Sequence, residues 1–226
     1  MNTRLPVFVA GSTGRTGIHV VNKLVSHGIP VRGLVRGTKG VDTFGDRIDL
    51  VVGDTREPGT FASAIEGCVT VICTTGAQTA EGGIPEEVEY RGVENLVQAA
   101  KAADIRQFVL VSSIGATQPD HRLNKMFDNI LVWKLRGEDV LRASDIPHTI
   151  IRPGGLTDER GSDQAFSLDQ GDRITGSISR EDVAEICVRA LDHEDAKGVT
   201  FEVVYAETGV RDDAQNIFSD LQKDTS

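Results

Sequence analysis

Residues 6–25, PVFVAGSTGRTGIHVVNKLV, decide the fold. An apolar run from Pro6 to Ala10 passes without interruption into Gly11-Ser12-Thr13-Gly14-Arg15-Thr16-Gly17, and apolar residues then return at Ile18, Val21 and Val25. The run reads as a short buried strand, and the return at helical spacing reads as an amphipathic helix. Between them Gly11 permits a tight turn, Gly14 leaves bare backbone for a phosphate to approach, and Gly17 lets the helix pack closely on the strand. The N–H groups that open the helix would face an anion. In this strand-to-helix setting the spacing predicts a dinucleotide-binding loop formed by Gly11, Ser12, Thr13, Gly14, Arg15, Thr16 and Gly17.

Working outward, similar apolar runs recur at Val31 to Val35, Leu50 to Val52, Val69 to Cys73, Phe108 to Val111, Thr149 to Ile151 and Phe201 to Val204. Their hydrophobicity is continuous rather than alternating, as expected of parallel strands covered on both faces. Amphipathic segments separate them, seen in Val93, Leu96, Val97 and Ala100 and again in Val183, Ile186, Cys187, Ala190 and Leu191. Strand and helix alternate, which predicts an α/β fold with a doubly wound parallel sheet, a single Rossmann domain over 1–205. The long connections 77–90, 114–128 and 154–179 fall at strand ends, where sites are built, and are expected to form a small substrate lobe. Residues 206–226 read as a surface helix or tail around Ile217, Phe218 and Leu221.

Totals bound the partners. The 226 residues suit one large domain, and 39% hydrophobic with 5% aromatic residues suits a core of Val, Ile, Leu and Ala. A net charge of -10 leaves no broad basic surface, so nucleic acid and anionic membranes are disfavoured as partners. No apolar run approaches the ~18 residues of a membrane span. The expectation is a cytoplasmic monomer or homodimer acting on a small molecule, or an organelle stroma protein if a transit peptide has been removed. Cys68, Cys73 and Cys187 lack metal-ligand spacing and read as reduced structural thiols. No histidine grouping has the spacing of a metal site.

Roughly 20 residues past the glycines, where an NAD site offers a carboxylate to the ribose, the chain has Arg36-Gly37-Thr38-Lys39. Arg36 can form a forked pair with a 2′-phosphate, with Arg15, Thr38 and Lys39 as further donors, so NADP(H) is expected over NAD(H). The same cations also suit a solvated turn. Gly53-Asp54-Thr55 closes the third strand, where Asp54 can accept from the adenine amino group or cap a helix near Pro58. Thr74-Thr75-Gly76 closes the fourth, beside the expected ribose.

The stretches EYRGVENLVQAAKAADIRQFVLVSSIGA (89–116) and IPHTIIRPGGL (146–156) resemble the NAD(P)H-binding, NmrA-like branch of the atypical short-chain dehydrogenase/reductases, and PDHRLNKMFDNILVWK (119–134) resembles its plant and cyanobacterial members. The resemblance spans nearly the whole chain. In conventional relatives a Tyr lies four residues before a Lys on one helix and exchanges a proton with substrate. Here Lys134 matches the Lys, but Ile130 stands where the Tyr would be. The resemblance implies that Lys134 bonds the nicotinamide ribose, that Ser112 and Ser113 end a strand where the family's Ser sits, and that Pro153, Gly154 and Gly155 border the nicotinamide. His121, in the loop beyond Ser113, either reaches the nicotinamide face or is a solvated loop residue. Ser113, Lys134 and His121 are the catalytic candidates. Two functions follow: an NADPH-dependent reductase passing hydride to a small unsaturated or quinone-like acceptor without the tyrosine, or an NADP(H)-sensing regulatory protein without turnover.

Overall fold

The computed structural model describes residues 5–37, 42–212 and 216–225. Each apolar run is a strand, and the chain order is β1 (Val7–Ala10), α1 (Gly17–Ser26), β2 (Val31–Val35), β3 (Asp49–Val52), β4 (Thr70–Cys73), α2 (Gly92–Ala102), β5 (Gln107–Val111), α3 (Arg122–Met126), α4 (Ile130–Arg142), β6 (His148–Pro153), β7 (Gly155–Thr157), β8 (Gln164–Asp169), β9 (Ser177–Ser179), α5 (Arg180–Arg189) and β10 (Val199–Val210). The main sheet runs β3-β2-β1-β4-β5-β6-β10-β8. Its first seven strands pair in parallel, and β8 closes the edge antiparallel to β10. Strand order reverses direction between β1 and β4, which opens a crevice at their carboxyl ends, where doubly wound sheets bind ligands.

Alternate residues of each strand feed opposite layers, as strand geometry requires. Val7 and Val9 join α1 and α5 (Val20, Val21, Leu24, Val183, Ile186) on one face. Phe8 and Ala10 join α2 and α4 (Val93, Leu96, Val97, Leu141) on the other. Cys68, Cys73 and Cys187 are buried free thiols, and burial pushes Cys187 up to about 12.

The structure departs from the sequence expectation at the substrate side. The expected loop 154–179 contains three strands: β7 and β9 pair as a small parallel sheet, and β8 extends the main one. Every residue of β8 is half-buried, so it lacks the continuous apolar run that marks an inner strand. The expected loops 77–90 and 114–128 hold a π-helical segment at Glu86–Arg91 and helix α3.

The expected surface helix or tail over 206–226 is also revised. Residues 206–210 continue β10, and the described residues beyond form turns that pack back on the core. Phe218 is fully buried between Phe201 and His193, at centroid distances of 5.9 and 5.6 Å. Asp224 pairs with His148 Nε2 (2.9 Å) and accepts from Thr200 N–H (3.1 Å) and Oγ1 (2.6 Å). Burial opposes its ionisation, yet the hydrogen bonds from His148 and Thr200 hold it below the ordinary carboxylate value. Asp224→Ala should therefore lower the unfolding free energy by about 1–3 kcal/mol at pH 7, read by urea denaturation. A depressed carboxylate lends stability above its unfolded pKa and loses it as pH falls through its folded one, so the gap to wild type should shrink below about pH 4. An unchanged midpoint at pH 7 would show that Asp224 does not hold the tail.

Candidate functional site

The loop after β1 is built by close approaches that exclude side chains. Gly11 sits at φ +79°, and a Cβ there would lie 3.0 Å from Thr74 and Thr75 backbone atoms. At Gly17 a Cβ would lie 2.0 Å from Gly11 O, because the first turn of α1 rests directly on the glycine turn. Thr74 Oγ1 donates to Ala10 O (3.1 Å) and Gly11 O (3.2 Å), tying the end of β4 to the loop. Ser12 is fully buried and its hydroxyl donates to Leu34 O (2.9 Å), so its side chain anchors β2. Gly14 N–H bonds Gly11 O and Ile18 N–H bonds Gly14 O, while among the described residues no acceptor faces the N–H groups of Thr13, Arg15 and Thr16. These donors open α1, where the helix dipole favours an anion. Arg15 reaches across to Asp158, which also binds Arg180 (2.7 Å).

At the end of β2 Arg36 is exposed and, among the described residues, forms no ion pair within 4 Å, though its charge reaches Asp54. Thr38 and Lys39 lie outside the described residues. Asp54 is gripped by Arg56, whose Nε and Nη2 stand 3.1 and 2.8 Å from its two oxygens. The side-chain hydrogen bonds of Arg56 chiefly hold Asp54 below the ordinary value, and the charge of Arg36 adds to the shift. Arg56 also reaches Glu87 (3.3 Å). Gly53 leaves room for Thr60, whose Oγ1 accepts from Asp54 N–H (3.0 Å), and Thr55 is buried against Gly92.

Beside the crevice Thr75 Oγ1 meets Cys73 Sγ (3.2 Å), and Gly76 leads to Ala77, whose N–H donates to Glu89 Oε1 (2.7 Å). Glu89 Oε2 accepts from Lys134 Nζ (2.7 Å), so Lys134 of α4 stands against the end of β4. Ile130 is the first residue of α4. Of the two tyrosines, Tyr90 stacks on Trp133 and its hydroxyl accepts from Arg91 (3.2 Å), and the Tyr205 hydroxyl donates to Asp182 (2.5 Å).

The remaining candidates are committed to the protein's own bonds. Ser112 Oγ is buried and donates to Glu138 Oε1 (2.5 Å), and Ser113 Oγ donates to Ile114 O (2.9 Å). His121 Nδ1 accepts from Leu123 N–H (3.3 Å), which makes the imidazole the N-cap of α3. Pro153 ends β6 and its carbonyl accepts from Ile114 N–H, while Gly154 and Gly155 N–H bond Val203 O and Gly176 O. Behind Ser112 runs a buried network that the sequence reading missed. Arg152 bonds both oxygens of Glu138 (3.0 and 2.6 Å) and Glu202 (3.2 Å). Glu202 accepts Asp172 N–H (2.8 Å), and Asp172 accepts from Gly115 and Thr117. Burial alone would push Arg152 down, but Glu138 and then Glu202 hold it above the ordinary arginine value, while burial raises Glu202. Glu138 could have been found, since it lies one turn beyond Lys134 on α4, where a carboxylate on a core-facing helix position demands a partner.

The fit to a dinucleotide rests on this geometry: a cradle that a Cβ would fill, unspent N–H donors at a helix start, and an unpaired Arg36 one strand away. A cavity between β8 and the tail, lined by Phe166, Leu168, Gln170 and Leu221, holds none of the candidate residues. Among the described residues no group of three His, Cys, Asp or Glu could hold a metal, and no helix is long and apolar enough to cross a membrane.

Comparisons with known proteins agree with that geometry. Residues 11–194 match the family described as NAD(P)H-binding. The chain is 38% identical to the Arabidopsis thaliana chloroplastic protein At2g37660 over 85% of its own length and 67% of that protein's. It is 33% identical to sanguinarine reductase of Eschscholzia californica, over 92% and 91% of the two chains. Among solved structures, the oxidoreductase ylbE of Lactococcus lactis shares the fold, with a TM-score of 0.79 at 22% identity over 90% of this chain and 92% of that one. The chain belongs to the NAD(P)H-binding, atypical short-chain dehydrogenase/reductase family, and it binds a nicotinamide cofactor.

Proposed function

We propose that the protein is an NADPH-dependent reductase that passes hydride to a small unsaturated or quinone-like acceptor without a tyrosine proton donor. The observation that carries the NADP preference is Arg36, exposed at the end of β2 and, among the described residues, in no close ion pair, with only the longer-range charge of Asp54 near it. A guanidinium in that place forms a forked pair with a 2′-phosphate, where a carboxylate would repel it. Bound NADPH supplies the hydride. The glycine cradle and the N–H groups of α1 hold the diphosphate, and Lys134 holds the ribose. With Ile130 in place of the phenol, an acceptor that takes its proton from water suits the site best. The likeness to sanguinarine reductase over nearly the full length of both chains supports a reductase.

The commitment of Ser112, Ser113 and His121 to internal bonds favours a second reading, an NADP(H)-sensing regulator. Steady-state NADPH oxidation against a panel of quinones and flavins separates the two. Turnover with one acceptor supports the reductase, whereas tight cofactor binding without turnover on any of them supports the sensor.

Arg36→Asp should weaken NADPH by at least about tenfold more than NADH, since a hydrogen-bonded charge pair is worth roughly 1.5–3 kcal/mol. Fluorescence titration reads both affinities, and equal losses would mean that Arg36 does not recognise the phosphate.

A further inference from the structure

We infer that Glu89 is the positioning residue for Lys134, and that this pair, rather than a Tyr-Lys couple, organises the ribose side of the site. The inference rests on the reading that Lys134 faces the cofactor ribose.

Glu89 is almost wholly buried, with 3% of its side chain exposed, and both its oxygens are used. One takes Ala77 N–H and the other takes the Lys134 ammonium, each at 2.7 Å. Ala77 directly follows Thr74-Thr75-Gly76, so a single carboxylate ties the end of β4 to α4. An ammonium has three N–H donors. Glu89 occupies one and fixes its direction, which leaves two for ribose hydroxyls.

The local backbone is arranged for this contact. Glu89 lies in the π-helical segment Glu86–Arg91 that runs straight into α2. Such widened turns are rare and change the direction in which side chains project. Helix α4 crosses Glu89 at Gly137, where a Cβ would lie only 2.3 Å from Glu89 O. Trp133, just before Lys134, and Tyr90, just after Glu89, hold the same two elements together, since their rings stack with centroids 6.1 Å apart and planes at 13°. The Arg91 guanidinium also lies over the Tyr90 ring, 4.3 Å from its centroid. The pair is therefore a fixed strut, with its charge balanced before any ligand arrives. Lys134 then contributes direction more than net charge, so its effect should be the same for NADPH and NADH, which share that ribose.

A double-mutant cycle on the full chain tests this, with cofactor affinity read by fluorescence and folding read by the thermal midpoint. Glu89→Gln and Lys134→Met should each weaken NADPH and NADH alike, by about tenfold. The double variant should be no weaker than either single one, and Glu89→Asp, which keeps the charge, should recover part of the loss. Additive losses in the double variant, or wild-type affinity in Glu89→Gln, would overturn the positioning role. Wild-type affinity in Lys134→Met would instead overturn the ribose reading beneath it. If Glu89→Gln does not fold, Glu89→Asp carries the test, because unchanged affinity with the carboxylate drawn back by one carbon contradicts a fixed strut.

Discussion

In a Gly17→Ala variant, titration with NADPH will give no saturable fluorescence change, and the thermal midpoint will fall by about 10 °C. A methyl at this position would stand 2.0 Å from Gly11 O, 2.8 Å from Gly11 C and 2.8 Å from Thr74 Oγ1. Alanine has no χ angle with which to escape, and two of the three obstacles are backbone, so α1 must move away from the glycine turn. Overpacking of this kind costs roughly 3 kcal/mol or more, and each kcal/mol shifts the midpoint of a domain this size by about 2–4 °C. The binding loss is expected to exceed the stability loss because displacing α1 moves the acceptor-free N–H groups of Thr13, Arg15 and Thr16 at its start. A Gly17→Ala protein that binds NADPH like wild type would show that the cradle tolerates displacement of α1.

Arg152→Leu is expected to destabilise the fold by about 3–5 kcal/mol, a large fraction of the roughly 5–15 kcal/mol that holds a typical domain folded. Arg152 is the cation between two buried carboxylates, Glu138 and Glu202, both with fully buried side chains. Its removal leaves those charges facing each other, with Arg142, 3.2 Å from Glu138, and the more distant Arg173 as cations nearby. Desolvating a charge without its partner is among the largest penalties a point mutation can impose. Replacing Glu138, Arg152 and Glu202 together by apolar residues should recover much of the loss, since the penalty comes from the orphaned charge and not from a missing attraction. Urea denaturation of the single and triple variants reads both, and an Arg152→Leu midpoint equal to wild type would show that the buried carboxylates are relieved in another way. The same network holds Gly115 and Thr117 through Asp172, so the loop that follows Ser113 should loosen with it.

The fold was legible wherever a feature was local and continuous. The six inner strands and the apolar edge strand β3 announce themselves as unbroken apolar runs, which a parallel sheet covered on both faces needs, and the glycine loop does so because all its parts adjoin in sequence. Strand β8 was not legible, since QAFSLD lies at a half-buried edge and mixes polar with apolar residues. Nor was the packing of Phe218 and Asp224, whose partners Phe201 and His148 lie far back in the chain. Lys134 was singled out through family resemblance, but its partner Glu89 was missed because an ion pair spanning 45 residues leaves no periodic trace. Arg56 was within reach, two residues beyond Asp54, where an Asp side chain in a turn commonly bonds the backbone and side chain just ahead. His121 looked available because a loop histidine is usually solvated. Its Nδ1 instead caps α3, a helix of five residues that sequence periodicity is too short to reveal.

We propose that the Gly11–Gly17 cradle and Arg36 together select NADP(H). The most direct test is a pair of fluorescence titrations of the wild-type protein, with NADPH and with NADH, at one fixed salt concentration. Saturable binding of both is expected, with NADPH tighter by at least about tenfold, the value of one charge-assisted phosphate contact. Equal affinities, or tighter binding of NADH, would contradict it.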